Sequence, residues 1–270
     1  MSSNVGFIGA GNMGGALIRG LLNQGEKSAQ SVIVSDPSKD ARERLAEEFP
    51  GIQLTEKNEA AAACPLLILA VKPHVLPLVC QSLQRTISPD TTVVSIAAGL
   101  TIQSIQKVLG GHEQVVRAMP NTPALVSQGV TALSASQKVD DESFEEVERV
   151  FSVVGSTLRL PERLMDAYTA LAGSSPAWVF MFIEALADGA VREGIPRSTA
   201  LEVAAQAVAG SAQLAVQSQR HPAELKDMVC SPGGTTIEAV AALEKFGFRS
   251  ALMEAVSVCA AKARELGGPQ

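Results

Sequence analysis

Short apolar runs alternate with helical segments along the first half of the chain. The apolar runs are Val5–Ile8, Val32–Val34, Leu66–Val71, Thr91–Ala97 and Val115–Arg117, and the helical segments are Gly14–Asn23, Lys39–Phe49, Val75–Arg85 and Ile102–Leu109. Strands that alternate with helices at this spacing form βαβ crossovers, so the pattern predicts an α/β fold with a doubly wound, mostly parallel sheet of the Rossmann type. We expect edge strands at Val130–Leu133 and Leu158–Leu160, with an acidic helix over Asp140–Arg149 between them.

The strand signals stop near Pro161, and Ala-rich helical segments follow. They cover Pro176–Glu193, Ser198–Ser218, Pro222–Cys230, Thr236–Phe246 and Ser250–Leu266, with Ser175 as a helix start. The sequence therefore predicts a dinucleotide-binding domain over residues 1–160 and an all-helical domain over residues 161–270. Because an Ala-dense domain of about 110 residues has too thin a layer of side chains to fill a core alone, we expect it to form a homodimer or a larger homo-oligomer.

Composition excludes several classes of protein. A net charge of −6 and an aromatic content of 4% disfavour a nucleic-acid binder, which needs basic patches and stacking rings. The longest apolar run, between Glu59 and Lys72, is shorter than the roughly 20 residues of a membrane span, and the first residues do not resemble a secretory signal. We therefore expect a cytoplasmic protein without a membrane segment.

Four cysteines lie far apart, at Cys64, Cys80, Cys230 and Cys259. No pair has the C-x-x-C spacing of a zinc site or of a redox motif. Buried free thiols in a reducing compartment are the expected state, without a metal.

A glycine motif joins the first strand to the first helix. Gly9, Gly11 and Gly14 have the G-x-G-x-x-G spacing. The first glycine allows a tight turn, the second lets the backbone approach a pyrophosphate, and the third lets helix and strand pack closely. The amides of the helix N-terminus would then hold the phosphates.

The choice between NAD(H) and NADP(H) stays open at this point. Asp36 ends the second strand, where an acidic residue usually accepts from the ribose 2′-hydroxyl of NAD. Four neighbours could instead hold a 2′-phosphate if Asp36 points away, namely Ser35, Ser38, Lys39 and Arg42. A simple turn or helix cap at Asp36–Ser38 explains the residues as well as either role.

Three further segments follow strands at the edge where ligands bind in such sheets. Ala70–Pro73 and Ala97–Gly99 end the third and fourth βα units, and Lys72 is a candidate cofactor contact. Pro120 and Pro123 stiffen the turn that holds Asn121 and Thr122. A stiff polar turn at this edge suits the positioning of a nicotinamide, although an ordinary rigid loop is nearly as good an explanation.

A second motif lies in the helical half. Gly233 and Gly234 permit positive φ and let successive amides face one concavity, and Thr235 or Thr236 would cap the next helix. Such a turn favours a small anion, and a carboxylate fits without an arginine. Its alternative role is a tight connection between two helices.

Taken together, these motifs resemble pyrroline-5-carboxylate reductase. The resemblance is collinear, spans nearly the whole chain, and is carried by Phe7–Met13, Ala70–Pro73, Ala97–Gly99, Met119–Pro123, Gly173–Ala177, Leu225–Asp227 and Ser231–Thr236. It implies the last step of proline biosynthesis, in which NAD(P)H reduces the C=N bond of 1-pyrroline-5-carboxylate to L-proline. The glycine motif is shared by many dehydrogenases, whereas the motif Ser231–Thr236 is highly specific.

The resemblance also implies which residues bind. The turn Ser231–Thr236, with Ser231, Gly233, Gly234, Thr235 and Thr236, would receive the substrate carboxylate, often across a dimer interface. Thr236 would lie near the ring nitrogen as the catalytic residue. NADP(H), with NAD(H) as the alternative, would contact the following residues: Ile8, Gly9, Ala10, Gly11, Asn12, Met13, Asp36, Asn58, Ala70, Val71, Lys72, Pro73, Ala97, Ala98, Gly99, Asn121 and Thr122. Asp36 departs from the small or neutral residue of related enzymes, which puts their preference for NADPH in doubt.

Two other functions share features with this sequence. A β-hydroxyacid dehydrogenase has a similar domain order but needs a catalytic lysine early in its helical domain, and this chain has no lysine between Lys138 and Lys226. A regulatory protein that only senses dinucleotides would not need a second site for a small anion.

Overall fold

The computed structural model describes residues 4–267 and contains one eight-stranded sheet. The strands are β1 (Val5–Ile8), β2 (Val32–Ser35), β3 (Gln53–Thr55), β4 (Leu66–Leu69), β5 (Thr92–Ser95), β6 (Val115–Met119), β7 (Gly129–Ala135) and β8 (Gly155–Arg159). Their order is β3-β2-β1-β4-β5-β6-β7-β8, and only the β6–β7 pairing is antiparallel. The predicted doubly wound, mostly parallel sheet is confirmed.

Seven helices accompany the sheet, and five follow in the second half of the chain. The first seven are α1 (Asn12–Asn23), α2 (Lys39–Glu48), α3 (Asn58–Ala62), α4 (Leu76–Leu83), α5 (Ile102–Val108), α6 (Asp141–Ser152) and α7 (Met165–Tyr168). The others are α8 (Ser175–Arg192), α9 (Arg197–Ser218), α10 (Pro222–Val229), α11 (Thr235–Lys245) and α12 (Phe248–Gly267). One-turn 3₁₀ segments lie at Ala29–Ser31, Thr122–Val126 and Glu162–Leu164, and a π-helical stretch covers Thr169–Ser174.

Two local features have no counterpart among the predicted elements, namely strand β3 and the π-helical stretch Thr169–Ser174. The predicted helix start at Ser175 is confirmed, because α8 begins there, directly after the π-helical stretch. Predicted element ends otherwise agree with the observed ones to within a few residues.

Apolar side chains pack on both faces of the sheet. One cluster joins Phe7 and Ile68 to Leu17 of α1 and Phe151 of α6. The cluster on the other face joins Leu67 to side chains of α4 and α5. Because both faces are covered, β1 and β4 are buried along their whole length, as is typical of central parallel strands.

An ion pair is buried at the middle of β6. Arg117 is 3% exposed, and its guanidinium lies 3.0 Å from Oδ1 of Asp166 and 3.6 Å from Oε1 of Glu162. Glu162 also accepts a hydrogen bond from the amide of Ile102, in the first turn of α5. The cluster therefore ties β6 to α7 and to the short 3₁₀ segment before it, and it satisfies charges that would be costly to bury alone.

Contacts divide the chain into two compact units. The first comprises residues 1–174 with residues 259–270, and the second is Ser175–Val258. This division falls after the predicted domain boundary at residues 160 and 161, because α7 and the π-helical stretch pack on the sheet. As a boundary between domains, position 160 stays a prediction.

The second unit is helical and leaves much apolar surface exposed. Helices α8 and α9 pack through the small residues Ala187, Ala200 and Ala204, which allow a close approach. Large exposed apolar side chains of the unit include Phe180, Met181, Val203, Val216, Phe246 and Met253. Such a surface is typical of a subunit interface.

One helical stretch within residues 4–267, Glu162–Arg192, is long and apolar enough to cross a membrane by length and composition. Its most apolar window has a mean hydropathy of 1.4 and is 22% buried. The sequence does not indicate this stretch as a span, because no single uninterrupted apolar run of that length marks it.

Candidate functional site

The turn between β1 and α1 has the geometry that the glycine motif predicts. Gly9 has a φ of +103°, in the region that favours glycine. A Cβ on Gly14 would lie 2.3 Å from the carbonyl oxygen of Gly9, so helix and strand approach too closely for any side chain. Helix α1 begins at Asn12 without a side-chain cap, which leaves the amides of its first turn available to an anion.

A cleft of about 830 Å³ opens at the carboxyl edge of the sheet. The predicted cofactor residues that line it are Ile8, Gly9, Gly11, Asn12, Met13, Asp36, Asn58, Ala70, Val71, Lys72, Pro73, Ala97, Ala98 and Thr122. These residues lie at or after the ends of β1 to β6, so the cleft crosses the point between β1 and β4 where the strand order reverses. Open α/β sheets bind ligands at this position.

Asp36 lies at one end of the cleft and is held by backbone amides. Its Oδ2 accepts from the amide of Ala10 at 2.6 Å, and its Oδ1 accepts from the amide of Ser38 at 2.8 Å. Ser38 also caps α2. The carboxylate therefore ties the glycine turn to the end of β2.

The cations near Asp36 already have partners. Arg42 donates to the backbone oxygen of Asp36 at 2.6 Å and forms an ion pair with Glu56, and Lys39 pairs with Glu43. Glu56 itself lines the cleft. This end of the cleft therefore holds the carboxylates of Asp36 and Glu56, with the guanidinium of Arg42 paired to Glu56 beside them.

Asn58 shares this end. Its Oδ1 accepts from the hydroxyl of Ser35 at 2.7 Å, which fixes the first residue of α3 against the last residue of β2. The side chain lines the cleft within reach of the Asp36 end.

Three predicted cofactor residues are not brought to the cleft surface. Ala10 uses its amide on Asp36, and Gly99 packs against Leu266 near the end of α12. Asn121 is 8% exposed, and its side chain bonds the backbone of Val130 and Ala172. Their roles in cofactor binding stay predictions.

Sequence reasoning did not single out several residues of the lining. They are Pro37, Glu56, Val75, Val79, Ile96 and Leu125, together with Met119 and Pro120, which were noted only as part of a motif. Val75 and Val79 lie one helical turn apart at the start of α4, which follows the strand end at Lys72–Pro73. That spacing after a predicted strand end is the signal that could have identified them.

The turn Ser231–Thr236 connects α10 to α11 in the second unit. Gly233 has a φ of +64°, and the amide of Gly234 donates to the carbonyl oxygen of Ser231 at 3.0 Å. A Cβ on Gly234 would lie 2.2 Å from Oγ of Ser231, so a larger residue there would displace the Ser231 hydroxyl. The turn brings all five predicted substrate residues together in one exposed connection.

One expectation about this turn is wrong. Neither Thr235 nor Thr236 caps α11, because the N-cap is Gly234 and no side chain caps the helix. Both threonines lie in the first turn instead. Their hydroxyls and the first amides of α11 are therefore available to an anion.

The cysteines carry no chemistry at these sites. Burial raises the pKa of the Cys64 thiol to about 11 and that of Cys80 to about 12, so both stay protonated at neutral pH. The other two cysteines are half-buried, which corrects the expectation that all four are buried. Within residues 4–267, no cluster of three His, Cys, Asp or Glu side chains could hold a metal ion.

Comparison with known proteins matches both halves of the chain. Residues 162–266 match the family model for pyrroline-5-carboxylate reductase dimerisation, and residues 4–99 match the model for NADP oxidoreductase, coenzyme F420-dependent. The pyrroline-5-carboxylate reductase of Escherichia coli K12 is 43% identical over 267 residues, which cover 98% of this chain and 99% of that protein.

Solved structures agree along the full length. The pyrroline-5-carboxylate reductase of Coxiella burnetii superposes with a TM-score of 0.93 at 33% identity and covers 100% of both chains. The Plasmodium falciparum pyrroline carboxylate reductase with NADP bound gives a TM-score of 0.87 at 30% identity, with 98% of each chain covered. Identity above 40% along nearly the whole length, with the same fold, shows that this chain belongs to the pyrroline-5-carboxylate reductase family.

Proposed function

We propose that the protein reduces 1-pyrroline-5-carboxylate to L-proline with a reduced nicotinamide dinucleotide. The observation that carries this proposal is the glycine turn at the head of an 830 Å³ cleft, in a chain that matches pyrroline-5-carboxylate reductases from end to end. The dinucleotide and the carboxylate of the substrate each have a candidate binding element with backbone amides.

The cleft residues fit a dinucleotide. Gly9 and Gly14 let β1 and α1 approach each other closely, a Cβ on Gly11 would meet nothing within 4 Å, and the uncapped start of α1 offers amides to a pyrophosphate. Asp36 and Asn58 lie where an adenosine ribose would be held, and Ala97, Ala98 and Thr122 line the opposite part of the cleft. NADP is the dinucleotide bound in the Plasmodium falciparum relative, and the proposal extends NADP(H) to this chain.

The reaction needs few functional groups from the protein. When bound, the reduced nicotinamide supplies a hydride to the imine carbon, and the ring nitrogen takes up one proton. The chain must hold the carboxylate, orient the ring and assist the proton. Amides of the turn Ser231–Thr236 suit the carboxylate, and the hydroxyl of Thr236 is the group we assign to the proton at the ring nitrogen.

We expect Thr236→Ala to lower kcat/KM for pyrroline-5-carboxylate by about 10–10³-fold, the range for loss of a positioned catalytic hydrogen bond. The measurement is loss of reduced-cofactor absorbance with wild type and variant. Thr199→Ala is the matched control, because Thr199 is an exposed threonine in the first turn of another helix of the same unit, α9. A Thr236→Ala variant as active as wild type would remove this residue from the site.

Asp36 is expected to set the choice between NADPH and NADH. Its carboxylate disfavours a 2′-phosphate at this end of the cleft, and the neighbouring cation Arg42 is already paired with Glu56. Asp36→Asn removes one charge and keeps one of the two oxygen acceptors for the backbone amides, so the ratio of kcat/KM for NADPH to that for NADH should rise about tenfold. The control Glu43→Gln changes a carboxylate of α2 that pairs with Lys39 instead. A ratio that stays within about twofold of wild type would contradict the assignment.

The dimerisation match and the exposed apolar helices support a homo-oligomer formed through residues 161–270. The proposal places this oligomer in the cytoplasm, with a small molecule as substrate and neither nucleic acid nor membrane as partner. The stretch Glu162–Arg192 would then bury its apolar side chains against a second subunit.

Sedimentation velocity at micromolar concentration tests this assembly. Wild type should sediment as a dimer or larger. Phe180→Glu should shift the population toward monomer, because a charge would replace an apolar ring that is 64% exposed in the isolated chain. Leu78→Glu, at an equally exposed apolar position of α4 outside the proposed interface, should leave sedimentation unchanged. A monomeric wild type would contradict the assembly.

A further inference from the structure

The loop after β6 forms one wall of the cleft. Met119, Pro120, Thr122 and Leu125 line the cleft, but Asn121 in the middle of this run does not. We call the segment Met119–Thr122 the β6 wall. Its backbone is extended at Asn121, with a φ of −126° and a ψ of 167°, so that the Asn121 side chain points away from its neighbours and into the protein.

The side-chain amide of Asn121 joins three parts of the first unit. Its Oδ1 accepts from the amide of Val130 in β7 at 2.9 Å, and its Nδ2 donates to the carbonyl oxygen of Ala172 at 3.1 Å. An amide nitrogen on one side and a carbonyl oxygen on the other allow only one orientation of the asparagine amide. Replacing Asn121 with Asp would remove the donor to Ala172, and replacing it with Ala would remove both hydrogen bonds.

The second partner, Ala172, lies in an unusual piece of helix. Thr169–Ser174 is π-helical, and such stretches are frequent at functional sites. A Cβ on the next residue, Gly173, would lie 2.8 Å from Cε of Met119, so the π-helical stretch also contacts the β6 wall directly. The wall is thus held to this stretch at two adjacent residues.

The first partner, Val130, lies beyond the part of β7 that pairs with β6. The β6–β7 ladder ends at Met119 and Ala132, two residues before Val130 is reached. Val130 receives its other side-chain bond from the hydroxyl of Tyr168, which donates to the Val130 carbonyl oxygen at 2.7 Å. Asn121 and Tyr168 therefore bond the same residue, but only Asn121 belongs to the β6 wall.

We propose that Asn121 is a positioning residue that fixes the β6 wall for the nicotinamide end of the cofactor. The proposal rests on the proposed function. The glycine turn follows β1, and Asp36 follows β2 on one side of it. Because a dinucleotide crosses the sheet at the strand-order reversal, its other half lies toward β4, β5 and β6. The β6 wall is the last cleft surface in that direction, and Asn121 is the side chain that ties it to the core.

The test compares Asn121→Ala and Asn121→Asp with wild type and with Tyr168→Phe. Tyr168→Phe is the matched control, since it removes one hydrogen bond to Val130 and keeps the ring that packs near Met119. For each protein we measure kcat, the KM for the reduced cofactor, the Tm, and the hydrogen exchange of backbone amides without cofactor.

Asn121→Ala should lower kcat about 10–100-fold and leave the cofactor KM within about threefold, because a displaced wall misplaces the reacting end and spares the phosphate and ribose contacts. Amides of residues 119–126 should exchange at least about tenfold faster, while those of residues 9–15 stay as in wild type. Asn121→Asp should change kcat and exchange in the same direction, and Tyr168→Phe should keep kcat within about twofold of wild type.

Two results would overturn the proposal. One is an Asn121→Ala variant with a lower Tm but a wild-type kcat, which would make the residue merely structural. The other is an equal loss of kcat in Tyr168→Phe. If Asn121→Ala does not fold, Asn121→Asp decides by the same criteria. A wild type without turnover would refute the proposed function. Hydrogen exchange at residues 119–126 would still test the role of Asn121 in that case. Faster exchange confined to this segment in Asn121→Ala would support the positioning role, and uniform or absent acceleration would refute it.

Discussion

The close approach of α1 to β1 is the constraint on which the candidate cofactor site depends. A Cβ on Gly14 would meet the carbonyl oxygen of Gly9 at 2.3 Å and the Cβ of Ala70 at 3.0 Å. Only this absence of a side chain lets the helix begin directly above the ends of β1 and β4. The uncapped amides of α1 thereby reach the cleft, and Asp36 secures the turn through the amide of Ala10. The other residues that line the cleft lie near the ends of neighbouring strands of the same buried sheet.

Much of the fold could be predicted from the sequence because its central strands are buried on both faces. Leu66–Leu69 and Val5–Ile8 are continuous apolar runs, so they were identified together with the helices between them. Strand β3 was not predicted because it is an edge strand of three residues, Gln53–Thr55, with side chains that are partly buried at most. The π-helical stretch was not predicted because residue type and spacing do not distinguish it from an α-helix, and its contacts with Met119 and Asn121 come from residues far away in the sequence.

The candidate site also has features that the sequence predicts and features that it does not. Glycines, strand ends and the turn Ser231–Thr236 follow from residue type and spacing, and the structure gives them the backbone geometry that was expected. The direction of a side chain depends on tertiary contacts. Asn121 was expected at the cofactor but turns toward Val130 and Ala172, and Glu56 was not expected but lines the cleft. The threonines were expected to cap α11, but Gly234 takes that position and leaves their hydroxyls available.

Product analysis shows whether the protein reduces the C=N bond of pyrroline-5-carboxylate. The protein is incubated with pyrroline-5-carboxylate and NADPH, or with NADH, and the L-proline formed is quantified against the cofactor oxidised. We expect one L-proline for each dinucleotide oxidised with at least one of the two cofactors. Cofactor oxidation without L-proline, or no reaction with either cofactor, would contradict this expectation.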